Sequence, residues 1–257
     1  MRAWWNLYKK ELYNLAFFSV VIVLLVLAWE VFLLYKADSW MGDIAVGLSF
    51  LPFFLYPLLA LLLGYNSYRQ EWKEDTQYFL LSLPRRGWEI GLAKTAAAMT
   101  FYIAICLLTI LLIVVFHHSY FAREFMEFNY IGMYEPGFFR GVVFRLSLLY
   151  LLYGLTLYIM AQFSQLVSLF FDRFRGFITI VVFIFSHYVI FRGTTLLAPL
   201  FRWVPDIPVY NYIYSLEEGV ARSYDITIGS GPFVAFLLML SGLFLLGSWI
   251  LEKQLDV

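Results

Sequence analysis

Charge, cysteine and histidine are all scarce in this 257-residue chain. Asp, Glu, Lys and Arg make up 14% of it, while 62% is hydrophobic and the mean hydropathy is +0.77, a balance that excludes an ordinary soluble domain. One cysteine, Cys106, excludes an internal disulfide, and inside an apolar run it behaves as a small hydrophobe. The net charge is zero, so nothing in the balance points to nucleic acid or to an acidic partner. There are three histidines. His117 and His118 are adjacent, which on a helix turns them to different faces without metal-site spacing, and they read as interfacial polar anchors. A Gly-rich phosphate loop, an H-E-x-x-H run and a G-x-S-x-G elbow are all missing, so intramembrane catalysis has little to stand on.

What fills the chain is a series of long apolar runs at about Leu15 to Tyr35, Ile44 to Tyr65, Gly91 to Phe116, Val142 to Val167, Phe177 to Phe191 and Pro232 to Ile250. All but the fifth reach the roughly 20 residues that a helix needs to cross about 30 Å of hydrocarbon. The runs are continuous rather than alternating, which excludes the pattern of a membrane barrel. The expectation is an all-α polytopic protein with six transmembrane helices. The first run is too long for a signal-peptide core of about 7–15 residues and should stay as an anchor.

Six spans put both termini on one side. Arg2, Lys9, Lys10, Arg69, Lys73, Arg85, Arg86, Lys94, Arg173, Arg175 and Lys253 fall in that side's segments, which total about fifty residues. Fewer basic residues occupy a longer length on the other side. The positive-inside rule then makes both termini cytoplasmic.

Ahead of the first span, residues 1–13 carry Trp4, Trp5, Tyr8 and Leu12 near helical spacing, away from Asn6, Lys9 and Lys10. This reads as an interfacial amphipathic helix lying flat, or as an extension of the first span into the headgroups. The fifth run would reach only about 22 Å as a helix, so something must complete the crossing. Residues 192–231 supply Pro199, Pro205 and Pro208 between apolar and aromatic pieces. Short re-entrant or interfacial helices on the outer face are expected there, turning at Pro205 to Pro208. Pro52 and Pro57 predict a kink in the second span.

Polar residues inside spans are the remaining functional signal. Glu30 must face protein or water, with Arg145 as a partner in reach, and it serves either a structural pair or a translocation path. Gln162, Gln165 and Ser168 recur every three residues and form either interhelical hydrogen bonds or the wall of an inward-facing cavity. His187 stands alone within the fifth span.

The stretch EWKEDTQYFLLSLPRRGWEIGLAK, Glu71 to Lys94, is a charged insert with its own apolar ridge between the second and third spans. Asp75 to Leu83 predicts a short helix carrying Tyr78, Phe79, Leu80, Leu81 and Leu83, ended by Pro84 and followed by Arg85, Arg86 and Trp88. It fits a groove on a soluble partner, or lies on the membrane with its leucines in lipid.

Here the chain resembles the six-span permease subunits of ABC-2-type ABC transporters. The resemblance runs over nearly the whole chain: the interfacial helix with Tyr8-Lys9-Lys10-Glu11-Leu12, the six spans, and an outer re-entrant segment before the last span. In the loop between spans two and three the family tends to show an acidic residue, Gly-Thr, a Leu-Leu pair, proline, a basic residue and a distal Gly-Lys. This chain has Glu71, Thr76, Leu80-Leu81, Pro84, Arg85 or Arg86, and Gly91 to Lys94. It departs in having Asp75 in place of the glycine, and Gly91 three positions before Lys94.

The resemblance implies that residues 69–90 form a coupling loop whose Glu71, Thr76, Tyr78, Phe79, Leu80, Leu83, Arg85 and Arg86 dock on a separate ABC ATP-binding subunit. ATP and Mg would be held there, with no cofactor bound by this chain and no hydrolytic residue of its own. A second permease chain, identical or related, completes the implied assembly in the plasma membrane of a prokaryote. Implied cargo is a lipid, peptide, antibiotic or other amphipathic compound, moved outward. A membrane-embedded lipid-modifying enzyme and a non-transporting scaffold or sensor subunit are the competing classes.

Overall fold

A computed structural model describes residues 2–37, 39–40, 42–74, 76, 78, 85–118, 136–171, 173–214 and 221–253. Its helices are α1 (Arg2–Ala37), α2 (Gly42–Ser49), α3 (Leu51–Lys73), α4 (Gly87–Phe116), α5 (Pro136–Ser168), α6 (Arg175–Leu197) and α7 (Gly231–Lys253). Six helical stretches are long and apolar enough to cross a membrane, with α2 and α3 forming one of them. This is a multi-pass membrane protein.

The second span is broken where its prolines predict. α2 ends at Ser49 and α3 restarts after Phe50, with Pro52 in its first turn and Pro57 in its interior. Each proline lacks an N–H and so strands the carbonyl four residues earlier. In hydrocarbon no water can fill that gap. Both stranded carbonyls are met by aromatic donors from neighbouring helices: Trp29 Nε1 of α1 donates to Leu48 O at 3.1 Å, and Tyr150 Oη of α5 donates to Phe53 O at 2.8 Å.

Pairwise packing follows from the same segments. α1 runs parallel along α4, α3 lies against α5, and α5, α6 and α7 pack on one another, with α4 also touching α7. Gly64 permits the α3–α5 contact, because any Cβ there would run into the Tyr158 carbonyl of α5. The main core gathers Tyr56, Leu59, Ala60 and Leu63 of α3, Phe101, Tyr102 and Ile105 of α4, and Tyr158 to Met160 of α5. α1 begins and α7 finishes at the same end of the bundle, here the proximal end. There, Trp4 Nε1 donates to Glu89 O at 3.1 Å, and the Gly87 amide donates to Glu252 Oε2 at 3.1 Å.

Three expectations are corrected. The first 13 residues are not a separate helix lying flat: α1 is unbroken from Arg2 to Ala37, with no proline or glycine to interrupt it. Of its aromatic stripe, Trp4 donates to Glu89 O and Tyr8 to Thr100 Oγ1 of α4, while Trp5 stays exposed. The fifth span is not short. α6 runs 23 residues and a 3-10 turn, Ala198–Phe201, extends it, because the arginines at its ends, Arg175 and Arg192, are exposed and do not stop the helix.

The segment before α7 contains an antiparallel ribbon, where re-entrant helices were expected. β1 (Ile207–Tyr214) pairs with β2 (Ala221–Ile228), Ile207 opposite Ile228 and Tyr214 opposite Ala221. Pro205 and Pro208 disfavour helix, while the Val, Ile and Tyr content of 207–214 suits a strand. Pro208 sits near the strand's start, where a missing donor is tolerated.

Tyr150→Phe removes the donor to the Phe53 carbonyl and is expected to cost about 1–3 kcal/mol of stability. Pro57→Ala restores an in-helix donor to that carbonyl, so the double variant should lose less than Tyr150→Phe alone. Thermal melting in detergent reads both; equal losses would show that the tyrosine does not serve the proline.

Candidate functional site: buried ion pairs at the two ends of α4

Among the described residues several charged side chains are buried where helices meet. Lys94, in the second turn of α4, is 3% exposed. Its Nζ donates to Glu11 Oε1 of α1 at 3.0 Å and, in a shorter contact, to Glu71 Oε1 near the end of α3. It also lies 5.3 Å from the ring centroid of buried Tyr68. Lys10, half exposed, stands 3.9 Å from Glu71 Oε1 and 4.0 Å from Glu11 Oε1. Two lysines and two glutamates thus neutralise one another and join three spans at the proximal end. A cleft of about 350 Å³ opens beside them, lined also by Asn14, Leu15, Ser67, Glu74 and Tyr158.

A second buried contact between an acid and a base closes the distal end. Glu30 of α1 is fully buried, and its Oε2 lies 3.4 Å from Nε2 of His117, the residue that caps α4. Ser49 Oγ, at the end of α2, donates to Ala45 O at 3.0 Å and sits 2.9 Å from the same Nε2. Burial holds the imidazole below its ordinary pKa. Glu11 and Glu30 stand about 28 Å apart along α1, and Lys94 and His117 about 35 Å apart along α4, at about 1.5 Å per residue. An acid on α1 therefore meets a base on α4 near each membrane surface.

The residues singled out from the sequence do not form one site. Glu71 is buried in the proximal cluster, and Thr76 folds back on it, its amide donating to Glu71 O at 2.9 Å. Tyr78 is exposed, Arg85 pairs with Glu89 at 3.2 Å, and Arg86 caps α4 with an extended backbone. Phe79, Leu80 and Leu83, and with them the short helix expected over Asp75 to Leu83, lie outside the described residues.

Glu30 meets His117, and among the described residues it makes no ion pair with Arg145, which is half exposed on α5. His117 is accordingly a buried partner rather than an interfacial anchor, whereas His118 is exposed. Gln162 is buried, with Thr95 Oγ1 3.5 Å from its Oε1 and no partner on its Nε2. Gln165 is buried one turn further on, and His187 faces outward from α6. Sequence reasoning missed Glu11, Lys10, Ser49 and His117 as members of ionic sites. The usable signal was local: Lys94 stands in GLAKTAAAM, an apolar setting that a topological lysine does not need.

Among the described residues no group of three or more His, Cys, Asp or Glu could hold a metal ion. No protein-family model matches this chain, nor does any curated protein or solved structure.

Lys94→Met strips the cation from between Glu11 and Glu71 and is expected to cost about 3–5 kcal/mol, because the two carboxylates are left with the half-exposed Lys10, 3.9 and 4.0 Å away, as their counter-ion. Adding Glu11→Gln and Glu71→Gln should recover most of the loss in melting temperature. A triple variant as unstable as the single one would show that the site is not held by charge.

Proposed function

We propose that this chain is the membrane-spanning permease subunit of an ATP-driven transporter of the ABC-2 type. Residues 69–90 would serve as its coupling element, seated on a separate ATP-binding subunit. The observation that carries this reading is the double fastening of that stretch. On its first side Glu71 is locked to Lys94 and, through it, to Glu11. On its second side Arg85 pairs with Glu89, the Glu89 carbonyl accepts from Trp4, and the Gly87 amide donates to Glu252. A push on the segment between α3 and α4 is therefore delivered to α1, α3, α4 and α7 together, as a coupling element requires. The resemblance in Glu71, Thr76, Leu80-Leu81, Pro84 and Arg85 or Arg86 supports the same assignment.

In this reading both termini and the coupling stretch face the cytoplasm of a prokaryotic cell, as the excess of lysine and arginine in those segments favours. ATP and Mg belong to the ATPase subunits, whose closure drives the spans. A second permease chain, identical or related, completes the pathway. The cargo is a lipid, peptide, antibiotic or similar amphiphile moved outward. This chain is the moving part and performs no hydrolysis of its own.

Copurification with a candidate ABC ATP-binding subunit tests the proposal. The native chain should retain the ATPase, and the Phe79→Asp, Leu80→Asp double variant should lose it while keeping native helicity and melting temperature. Retention by the double variant would move docking elsewhere, and failure of the native chain to hold any ATPase would overturn the transporter reading.

A further inference from the structure

The last turns of α3 present two different faces. Glu71 points into the bundle, whereas Tyr65, Arg69, Trp72 and Lys73 turn the other way and line a cleft of about 500 Å³. The rest of its wall is Gln165 and Leu169 from the end of α5 and Arg175 and Gly176 from the start of α6. Arg69 and Lys73 are one helical turn apart, so both cations stand on this face. Arg69 lies over the Tyr65 ring with its guanidinium carbon 5.1 Å from the centroid, and both side chains remain exposed at their charged ends. No carboxylate lines the cleft among the described residues.

Two further features point the same way. Gln165 is only 4% exposed, lines the cleft, and its carboxamide has no hydrogen-bond partner among the described residues. The start of α6 supplies a further donor. Its first intrahelical amide bond is Ile178 N to Phe174 O at 3.0 Å, no side chain caps it, and the amide of Gly176 precedes that bond. At Gly176 a Cβ would meet no atom within 4 Å, so the backbone is open to a ligand there. Arg175 Nε already donates to Phe171 O at 2.9 Å and borders the cleft as part of its frame.

We infer that this cleft binds the phosphate-bearing headgroup of an anionic phospholipid. Arg69 and Lys73 supply the charge that phosphate demands, and the Gly176 amide at the start of α6 together with the Gln165 carboxamide supplies neutral donors. Tyr65, Trp72 and Leu169 give the apolar wall along which acyl chains leave the headgroup, which favours a lipid over a free phosphate ion. The site lies at the proximal end, at the level of the Glu11, Glu71 and Lys94 cluster. Helix ends with aromatic and basic anchors belong at that depth, the membrane–water interface. A lipid here would bridge α3, α5 and α6, three spans that no ion pair among the described residues joins. The inference does not depend on the transporter reading, since it concerns the chain alone.

Native mass spectrometry of the purified chain, titrated with dioleoyl phosphatidylglycerol and, separately, dioleoyl phosphatidylcholine, tests it. The phosphatidylglycerol should be retained preferentially. Arg69→Gln with Lys73→Gln should weaken it on the order of 25-fold, from about 5-fold per cation near a lipid phosphate. Gly176→Leu, which fills the open space at an exposed helix start, should abolish the preference with helicity and melting temperature unchanged. Equal retention of the two lipids, or retention of phosphatidylglycerol unaltered in both variants, would overturn the site. Displacement of the lipid by millimolar inorganic phosphate alone would reassign it to a soluble anion and overturn the lipid.

Discussion

Hydrocarbon offers a backbone no hydrogen-bond partner, and every irregularity in this bundle is arranged around that constraint. Two prolines in the second span strand two carbonyls, and Trp29 and Tyr150 reach across from α1 and α5 to meet them. The donors are aromatic, which lets one side chain pack against neighbours and satisfy a polar atom at its tip. Tyr150 also stacks on Tyr102 and meets Phe53 edge-on. The interhelical contacts and the proline break are therefore one arrangement: α3 can bend because α1 and α5 are where they are.

The same constraint governs charge. A lysine or glutamate inside a span is tolerated only when paired or exposed to water. α1 and α4 solve this jointly, placing an acid of one beside a base of the other near both surfaces. The pairing fixes register as well as charge. Sliding α1 along α4 by one turn would separate Glu11 from Lys94 and Glu30 from His117 at once, a penalty that hydrophobic contacts between two uniformly apolar helices could not impose. α4 has almost no amphipathic character of its own, so its polar ends do the specifying.

Much of this architecture was legible in the sequence, because a run of about 20 apolar residues has few alternatives to a spanning helix. The break in span two was legible for the same local reason: proline acts on its own turn. What escaped was everything set by helix pairing. Glu30 was matched with Arg145 because both sit toward the same surface, but packing brings the end of α4 to α1 and puts His117 there. Lys94 was counted as a topological charge although it is enclosed by α1 and α3. The amphipathic face of the first 13 residues was real, and it covers the start of α4. Before α7, the prolines at 205 and 208 were heeded and the strand-forming residues between and after them were not.

The two halves of span two belong to different neighbourhoods. α2 lies on α1, which is bound to α4, while α3 lies on α5, the helix that gathers α6 and α7. Phe50, between them, is where the chain passes from one company to the other through a single turn residue whose backbone stays in the right-handed helical region. The Glu11, Lys94 and Glu71 cluster ties the proximal end of α3 back to α1 and α4, so the two neighbourhoods part at Phe50 and rejoin at the other end of the span.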